Sequence, residues 1–192
     1  MREITFDIET SNILPSLARQ DVTRLDLAVV AIHDSETGAF SSYSQEELPT
    51  LWPILENADT LIGYNSNSFD IPLLNKYYPG DLTKIRSIDL MVEVQNVLGR
   101  RLRLQSLAEA TLKVGKSGNG LDSVRWWNEG LYEKVREYCI QDVKITRDLF
   151  DYALTKGGLK YKDLKDLRDI KLDTSTWQTE LPPPSFTHTL AL

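Results

Sequence analysis

The pattern of apolar and polar positions predicts a group of strands followed by strands and helices in alternation. An apolar segment covers 3–9, and two further segments flank the turn-forming residues 34–38, which predicts a hairpin. The predicted strands cover 3–9, 27–33, 39–43, 60–64 and 84–87. The predicted helices cover 44–56, 70–77, 89–97, 104–112, 121–128 and 131–155. Both element types along one chain predict the α/β class.

Helix ends carry recognisable capping residues. Ser44 is expected to cap the first helix, with Glu47 completing a capping box. Asp89 is suited to cap the helix that follows it. Gly157 and Gly158 favour a left-handed conformation at the end of the last long helix.

The first predicted strand carries two acids one residue apart, Asp7 and Glu9, inside an apolar stretch. In an extended strand, residues i and i+2 point to the same face, so the two carboxylates would project together. Such a pair repels itself unless a positive charge lies between its members. Hard oxygen ligands of this kind suit Mg²⁺ or Mn²⁺, so the pair predicts a divalent metal site.

Two later segments add acidic positions. Asp70 follows an apolar run that ends in small polar residues, and Tyr138 lies four residues before Asp142 in a helical pattern. Residues i and i+4 share one helix face, so Tyr138 and Asp142 would point to the same site. Each segment alone has a structural explanation as well. A tyrosine and an aspartate at this spacing are common on helices, and Asp70 is also suited to cap a helix.

In chain order, these segments resemble the three motifs of the DEDD superfamily of 3′-to-5′ exonucleases. Asp7 and Glu9 match the first motif, Asp70 the second and Asp142 the third, with Tyr138 marking the tyrosine (DEDDy) subclass. The stretches 6–10 and 63–72 look most like the proofreading exonuclease domain of family B DNA polymerases and its standalone relatives. The resemblance runs from about residue 3 to about residue 156. It implies a ribonuclease H-like α/β fold, a mixed central sheet flanked by helices.

The resemblance also implies residue roles. The four acids Asp7, Glu9, Asp70 and Asp142 would hold two Mg²⁺ or Mn²⁺ ions about 4 Å apart, in a two-metal-ion hydrolysis of phosphodiester bonds. Tyr138 would orient the attacking water. The residues that would contact the terminal nucleotides are Thr10, Asn65 and Phe69.

The formal net charge of −6 argues superficially against nucleic acid as a partner. The objection is weak, because an acidic metal site needs positive charge only at its rim. Candidates for this rim are Arg100, Arg101 and Arg103, with Lys113 and Lys116 shortly after. A solvated loop between helices is an equal alternative for this segment. The Trp126–Trp127 pair predicts core packing, although one ring is also suited to stack on a base.

Composition agrees with a compact soluble enzyme. A chain of 192 residues with 41% hydrophobic content can bury one core, so its length favours a single domain. Neither a membrane span nor a signal peptide is expected. The single cysteine, Cys139, excludes an internal disulfide and fits a reducing cytoplasm. We expect it to be a buried small hydrophobe.

The region after residue 156 has a different character. Residues 159–161 and 170–172 predict a small β-hairpin with Trp177 nearby, and the prolines at 182–184 are stiff and extended. We therefore divide the chain into an exonuclease domain over 1–156, an extension over 157–181 that packs on it, and a tail over 182–192. The tail is not expected to belong to the site.

The sequence predicts a metal-dependent 3′-to-5′ exonuclease for single-stranded DNA or RNA with a free 3′ end. It also leaves room for a protein partner in replication or repair. One alternative is a catalytically silent nucleic-acid-binding module with the same fold, although such modules usually lose one of the acids. The other is an endonuclease, since the ribonuclease H-like fold supports both reactions. The sequence does not distinguish DNA from RNA.

Overall fold

The computed structural model describes residues 1–14, 21–115 and 120–179. The strands are β1 (Glu3–Thr10), β2 (Leu27–Asp34), β3 (Ala39–Ser44), β4 (Thr60–Gly63), β5 (Ser87–Asp89), β6 (Gly158–Asp163) and β7 (Asp166–Lys171). The helices are α1 (Leu48–Glu56), α2 (Asp70–Leu74), α3 (Leu90–Leu98), α4 (Leu104–Thr111), α5 (Gly120–Asn128) and α6 (Tyr132–Lys156). Short 3-10 helices cover Val22–Arg24, Gln45–Glu47 and Leu82–Lys84.

A five-stranded mixed sheet in the order β3-β2-β1-β4-β5 forms the centre of the fold. β1 pairs antiparallel with β2 along its length, whereas its parallel ladder with β4 covers only Glu3, Ile4 and Thr5. The second half of β1 therefore extends beyond β4. This half carries the two acids of the first motif.

The alternation of side chains along β1 separates two apolar layers. Ile4, Phe6 and Ile8 point into a core that also contains buried residues of α1 and α2. Asp7 and Glu9 point to the other face, where their strand partners are Ala31 and Val29. Both partners pack against α6.

Helix α6 crosses this second face of the sheet. Its first half places Val135, Cys139 and Val143 against β2, and its second half joins a core with β4, β5 and α4. A single long helix therefore spans from the acidic end of β1 to the far side of the sheet. It ends at Gly157, whose φ of 69° is the left-handed conformation predicted for Gly157 and Gly158 at this helix end.

The β6–β7 hairpin follows α6 directly, as the sequence predicts for this stretch. Leu159 and Ile170 are buried in the core with α6. Trp177 stacks on Phe150 of α6, with 5.2 Å between the ring centroids. The predicted tail at 182–192 lies outside the described residues.

The five predicted strands of the main sheet are present, but two helices and one strand predicted before residue 157 differ from the structure by more than one residue. The helix predicted over 44–56 keeps its capping box, in which the Ser44 N–H donates to Glu47 at 2.7 Å, but opens with a 3-10 turn before α1. The helix predicted over 70–77 ends at Leu74, because the chain then tightens into 3-10-type turns in which the Lys76 and Tyr77 N–H groups bond to the carbonyls of Leu73 and Leu74. The strand predicted over 84–87 was placed too early, since Leu82–Lys84 forms a 3-10 helix and the strand begins at Ser87.

Across the part of the chain that the structure describes, no helix combines the length and the apolar character needed to cross a membrane.

Candidate active site

Three carboxylates meet where β1 and α6 come together. Ligand oxygens of Asp7, Glu9 and Asp142 all lie within 4.8 Å of one another. The strand alternation brings the first two to the α6 face, and the packing of Cys139 and Val143 against β2 brings Asp142 opposite them. The local pattern and the tertiary packing together build this cluster.

Asp70 reaches the same cavity from the other side of β1. It is the first residue of α2, and its side chain is buried although it lies outside the 4.8 Å group. Burial raises the pKa of its carboxyl group, and hydrogen bonding from the Ile8 backbone opposes this rise. Ile8 lies in the half of β1 that extends beyond the β4 ladder. The Asp70 carboxylate therefore accepts a hydrogen bond from a β1 backbone N–H group that lies beyond the end of the β4 ladder.

The cavity between these acids has a volume of about 300 Å³. It is lined by Asp7, Ile8, Glu9, Thr10, Tyr64, Asn65, Phe69, Asp70, Tyr138 and Asp142. All five residues predicted as catalytic thus face one space. Three of the six residues predicted to bind substrate face it as well.

Burial disfavours the charged form of all four acids. It raises the pKa of Asp7 well above the ordinary value, and the charges of Asp70 and Asp142 add to this shift. It also raises the pKa of Glu9 to about 8, against the hydrogen bond from Ser123. Burial raises the pKa of Asp70 to about 7 and that of Asp142 to about 6.

The charge of this cluster is not balanced by protein cations. Within residues 1–14, 21–115 and 120–179, no lysine or arginine forms an ion pair with any of the four acids. Close carboxylates without a counter-charge offer hard oxygen ligands for a divalent cation. The donor set therefore fits Mg²⁺ or Mn²⁺ and leaves room for substrate oxygens in the cavity.

Tyr138 lies one helical turn before Asp142 and faces the same cavity. Burial and the charges of the nearby acids raise the pKa of its phenol above the ordinary value. The hydroxyl is therefore protonated at neutral pH and acts as a hydrogen-bond donor. Its hydrogen bond to the Asp142 carboxyl group partly opposes the rise in pKa that burial causes there.

Cys139 is fully buried behind the acids, as predicted. Its Sγ donates to the Asp7 carbonyl oxygen at 3.3 Å and lies 3.6 Å from the Asp7 carboxylate. Burial raises the pKa of the thiol well above its ordinary value. The thiol thus stays protonated and packs as a small apolar side chain.

Asp89 holds the loop that precedes Asp70. Its carboxylate accepts the backbone N–H groups of Asn65 at 2.7 Å and Asn67 at 3.0 Å, and it also caps α3 through the Met91 N–H at 3.0 Å. These bonds hold Asn65 in a left-handed conformation with φ of 64°. The sequence identifies Asp89 as a helix cap but gives no signal of its second role, because the loop lies more than twenty residues away.

The loop also requires a glycine at its start. A Cβ atom on Gly63 would lie 2.4 Å from the Ser66 side chain, which is far inside contact distance. Gly63 therefore lets the chain fold back after β4. In this way the loop presents Asn65 and Phe69 to the cavity.

The three arginines of the predicted basic rim do not line the cavity. Arg100 lies over the ring of Tyr161 at 5.6 Å, and Arg101 donates to Gln95 at 3.0 Å. Arg103 precedes α4. Their segment is nevertheless connected to the site, because the cavity-lining Tyr64 donates its hydroxyl proton to the Leu102 carbonyl at 2.7 Å. Lys116 lies outside the described residues.

Helix α5 contributes Ser123, which the sequence did not identify, and Trp126, for which the sequence favoured core packing with base stacking as an alternative. Ser123 donates a hydrogen bond to Glu9, and Trp126 contacts Tyr138 edge-on with 5.8 Å between the ring centroids. Ser123 and Trp126 are three residues apart, so the sequence places them on one face of a helix. No local pattern indicates that this helix approaches β1.

Comparisons with known proteins agree with this geometry. None of the curated proteins matches the chain. Its fold is similar to that of the family B DNA polymerase from the hyperthermophilic archaeon Pyrobaculum calidifontis, with a TM-score of 0.63 and 19% identity. The match covers 80% of this chain but only 24% of the polymerase.

The similarity to the polymerase concerns the fold, and it agrees with the predicted ribonuclease H-like architecture. The sequence itself matches the model of the RNase_H superfamily over residues 4–154. This span includes the acids Asp7, Glu9, Asp70 and Asp142. Such a match supports a nuclease-type function, a nucleic-acid substrate and the use of divalent metal. The chain belongs to the RNase_H superfamily.

Proposed function

We propose that the chain is a metal-dependent 3′-to-5′ exonuclease that hydrolyses single-stranded DNA or RNA from a free 3′ end. One observation carries the proposal: four acids that form no ion pair with any described lysine or arginine share a cavity with a protonated tyrosine. The four acids are Asp7, Glu9, Asp70 and Asp142. The order of the motifs along the chain agrees with the tyrosine subclass of the DEDD exonucleases.

The carboxylates would hold the metal. Asp7, Glu9 and Asp142 would supply ligand oxygens from one side of the cavity, and Asp70 from the other. When bound, two Mg²⁺ or Mn²⁺ ions would provide a water of lowered pKa and electrostatic stabilisation of the leaving oxygen. Binding would also remove the mutual repulsion that raises the pKa of Asp7.

Tyr138 would orient the attacking water. Its phenol is a donor at neutral pH and is held beside Asp142. A proton held this firmly makes the tyrosine a poor general base. We therefore assign it the positioning of the water through a hydrogen bond, with proton transfer as a secondary role.

The wall opposite α6 would receive the terminal nucleotide. Asn65 and Phe69 lie on the loop held by Asp89, and Thr10 lies at the end of β1. An aromatic ring beside polar groups suits a base together with its sugar. The cavity would then place the last phosphodiester bond over the acids, which favours removal of single nucleotides from the 3′ end.

The test uses 5′-labelled single-stranded DNA and RNA oligonucleotides with Mg²⁺ or Mn²⁺. We expect progressive shortening and release of mononucleotides, and complete inhibition by EDTA. Circular single-stranded DNA should resist the protein. Nicking of the circle that disappears in the Asp7→Asn variant would instead assign an endonuclease. Metal binding without cleavage of any substrate would indicate the silent binding module.

The arginine segment gives a separate test of substrate binding. Replacing Arg100, Arg101 and Arg103 together by alanine should weaken binding and reduce its salt dependence, because fewer counterions are then released from the phosphates. Fluorescence anisotropy of a labelled oligonucleotide at several salt concentrations measures both effects. Unchanged affinity and an unchanged salt slope would place the basic rim elsewhere.

A further inference from the structure

Helix α5 contacts the candidate site at two points. It packs against both β1 and α6, the elements that carry the acids and the tyrosine. Ser123 and Trp126 are three residues apart, so they lie on the same face of α5. Each reaches a different residue of the site.

Ser123 is fully buried, and its hydroxyl donates a hydrogen bond to the Oε2 atom of Glu9. This bond joins residues 114 positions apart in the chain. A carboxylate with one oxygen held by a donor keeps a fixed orientation and presents its second oxygen in a fixed direction. Second-layer hydrogen bonds of this type tune how well a ligand holds a metal.

Trp126 lies between two residues of α6. Its ring meets Tyr138 nearly perpendicularly, at 77°, and the Nζ atom of Lys134 lies 4.0 Å from the centre of the same ring. Lys134 and Tyr138 are four residues apart, so they lie on one face of α6. The indole therefore limits where the tyrosine ring can move.

The neighbouring tryptophan has a different role. Trp127 packs on Tyr132, with 4.5 Å between the ring centroids. Tyr132 is exposed and does not line the cavity. The two adjacent tryptophans thus form a matched pair, in which Trp126 contacts Tyr138 of the site and Trp127 packs on Tyr132.

We propose that α5 is a positioning helix with two separable effects: Ser123 orients Glu9 for metal binding, and Trp126 orients Tyr138 for the chemical step. The inference rests on the proposed function, since it assigns these roles to Glu9 and Tyr138. It differs from base stacking by Trp126, which would act on substrate affinity. It also differs from a purely structural role, which would not separate the two effects.

The first test measures Mn²⁺ binding to the full chain by calorimetry. Ser123→Ala should weaken binding about 10- to 100-fold, and Ser123→Thr, which keeps the hydroxyl, should retain most of the affinity. Ser123→Cys keeps the size with a weaker donor and should give an intermediate value, which also serves if the alanine variant does not fold. Ser175→Ala is the matched control, because it removes a 2.6 Å hydroxyl–carboxylate bond to Asp173 away from the site.

The second test separates kcat from KM. Trp126→Leu should lower kcat by about 3- to 30-fold, which is part of the loss expected when a positioned acid or base is removed entirely. KM and Mn²⁺ affinity should stay unchanged. Trp127→Leu should change none of the three quantities.

The outcomes are distinct. Wild-type binding of Mn²⁺ in folded Ser123→Ala and Ser123→Cys overturns the role of Ser123. A raised KM with normal kcat in Trp126→Leu overturns the role of Trp126 in favour of base stacking. A wild-type protein that binds Mn²⁺ but cleaves nothing refutes the proposed function while leaving the Ser123 test intact. A wild-type protein that binds no Mn²⁺ refutes both.

Discussion

The two ends of the contact between β1 and α6 differ in whether their acids pair with a cation. At one end, buried Glu3 accepts a 2.7 Å ion pair from Arg147 of α6 and a 2.8 Å hydrogen bond from Gln178. At the other end, Asp7 and Glu9 face Asp142 of the same helix, and no described lysine or arginine pairs with them. The same two elements therefore pair one acid with an arginine and leave a cluster of other acids with no ion pair to any described lysine or arginine.

Within this one interface, the Glu3 end therefore has the features of a structural contact, and the end with Asp7 and Glu9 has those of a cation site. The Glu3 end satisfies a buried charge with a partner, as a stable core requires. At the cluster end, burial disfavours the charged form of the carboxylates and no described lysine or arginine compensates for it, so an external cation would stabilise that form. Four predictions use this comparison, in order of expected effect.

The largest effect is expected at the cluster end. Asp7→Asn removes one charge from the metal ligands, so cleavage should fall by about 10²- to 10³-fold or more. The free energy of unfolding should stay the same or rise, because repulsion among the acids is relieved. Steady-state kinetics and urea unfolding measure the two quantities. Retained activity would contradict the assignment of the site.

Tyr138→Phe keeps the ring and deletes only the hydroxyl. We expect kcat to fall by roughly 10²-fold, at the lower end of the range for a positioned acid or base. The contact with Trp126 remains, so near-UV circular dichroism should change little. A normal rate would show that the tyrosine is only part of the packing.

At the opposite end, Glu3→Gln should have the reverse profile. The variant keeps the shape of the side chain but removes the charge that pairs with Arg147, which retains its 2.7 Å contact with Asp151. We expect a loss of about 1–3 kcal/mol in unfolding free energy, with kcat unchanged. If Glu3→Gln lowers activity as strongly as Asp7→Asn, the two ends are not functionally separate.

The smallest effect concerns pH and the metal-free protein. Unfolded carboxyl groups ionise near pH 4, whereas burial raises the pKa of Glu9 to about 8 and that of Asp70 to about 7. The folded state therefore holds more protons between these values, so its stability falls as pH rises from 6.5 to 8. Burial lowers the pKa of His33, so His33 opposes this trend near its unfolded pKa of about 6.5, and the fall in stability should be clearest toward pH 8.

Urea unfolding in EDTA across this window measures the slope. Glu9→Gln should reduce it, since one of the titrating groups is removed. Saturating Mn²⁺ should remove it, because the metal-bound acids are ionised, as they already are in the unfolded chain. A slope that is unaffected by Glu9→Gln would mean that other groups control the pH dependence.

The sequence allowed prediction of features that depend on local spacing. Alternation along β1 places Asp7 beside Glu9, and one helical turn places Tyr138 beside Asp142. The succession of strands and helices along the chain and the long last helix followed from the apolar pattern and from the resemblance to a known family. The two side-chain placements agree with the structure because the spacing of a few neighbouring residues determines each of them.

Other features depend on approaches between distant segments. Ser123 reaches Glu9 across 114 positions, and Asp89 reaches Asn65 across 24. Nothing in the residues adjacent to these positions indicates their partners, so sequence reasoning alone did not find them.

The short ladder between β1 and β4 makes strand length a determinant of access to the site. Because β4 stops pairing at the level of Thr5, the edge of β1 beyond it is free for Asp70 and for whatever enters the cavity. Two more paired residues on β4 would occupy that edge and displace the second motif from it. The end of β4 thus determines how open the site is. A longer β4 would pair with the same stretch of the β1 backbone that now borders the cavity.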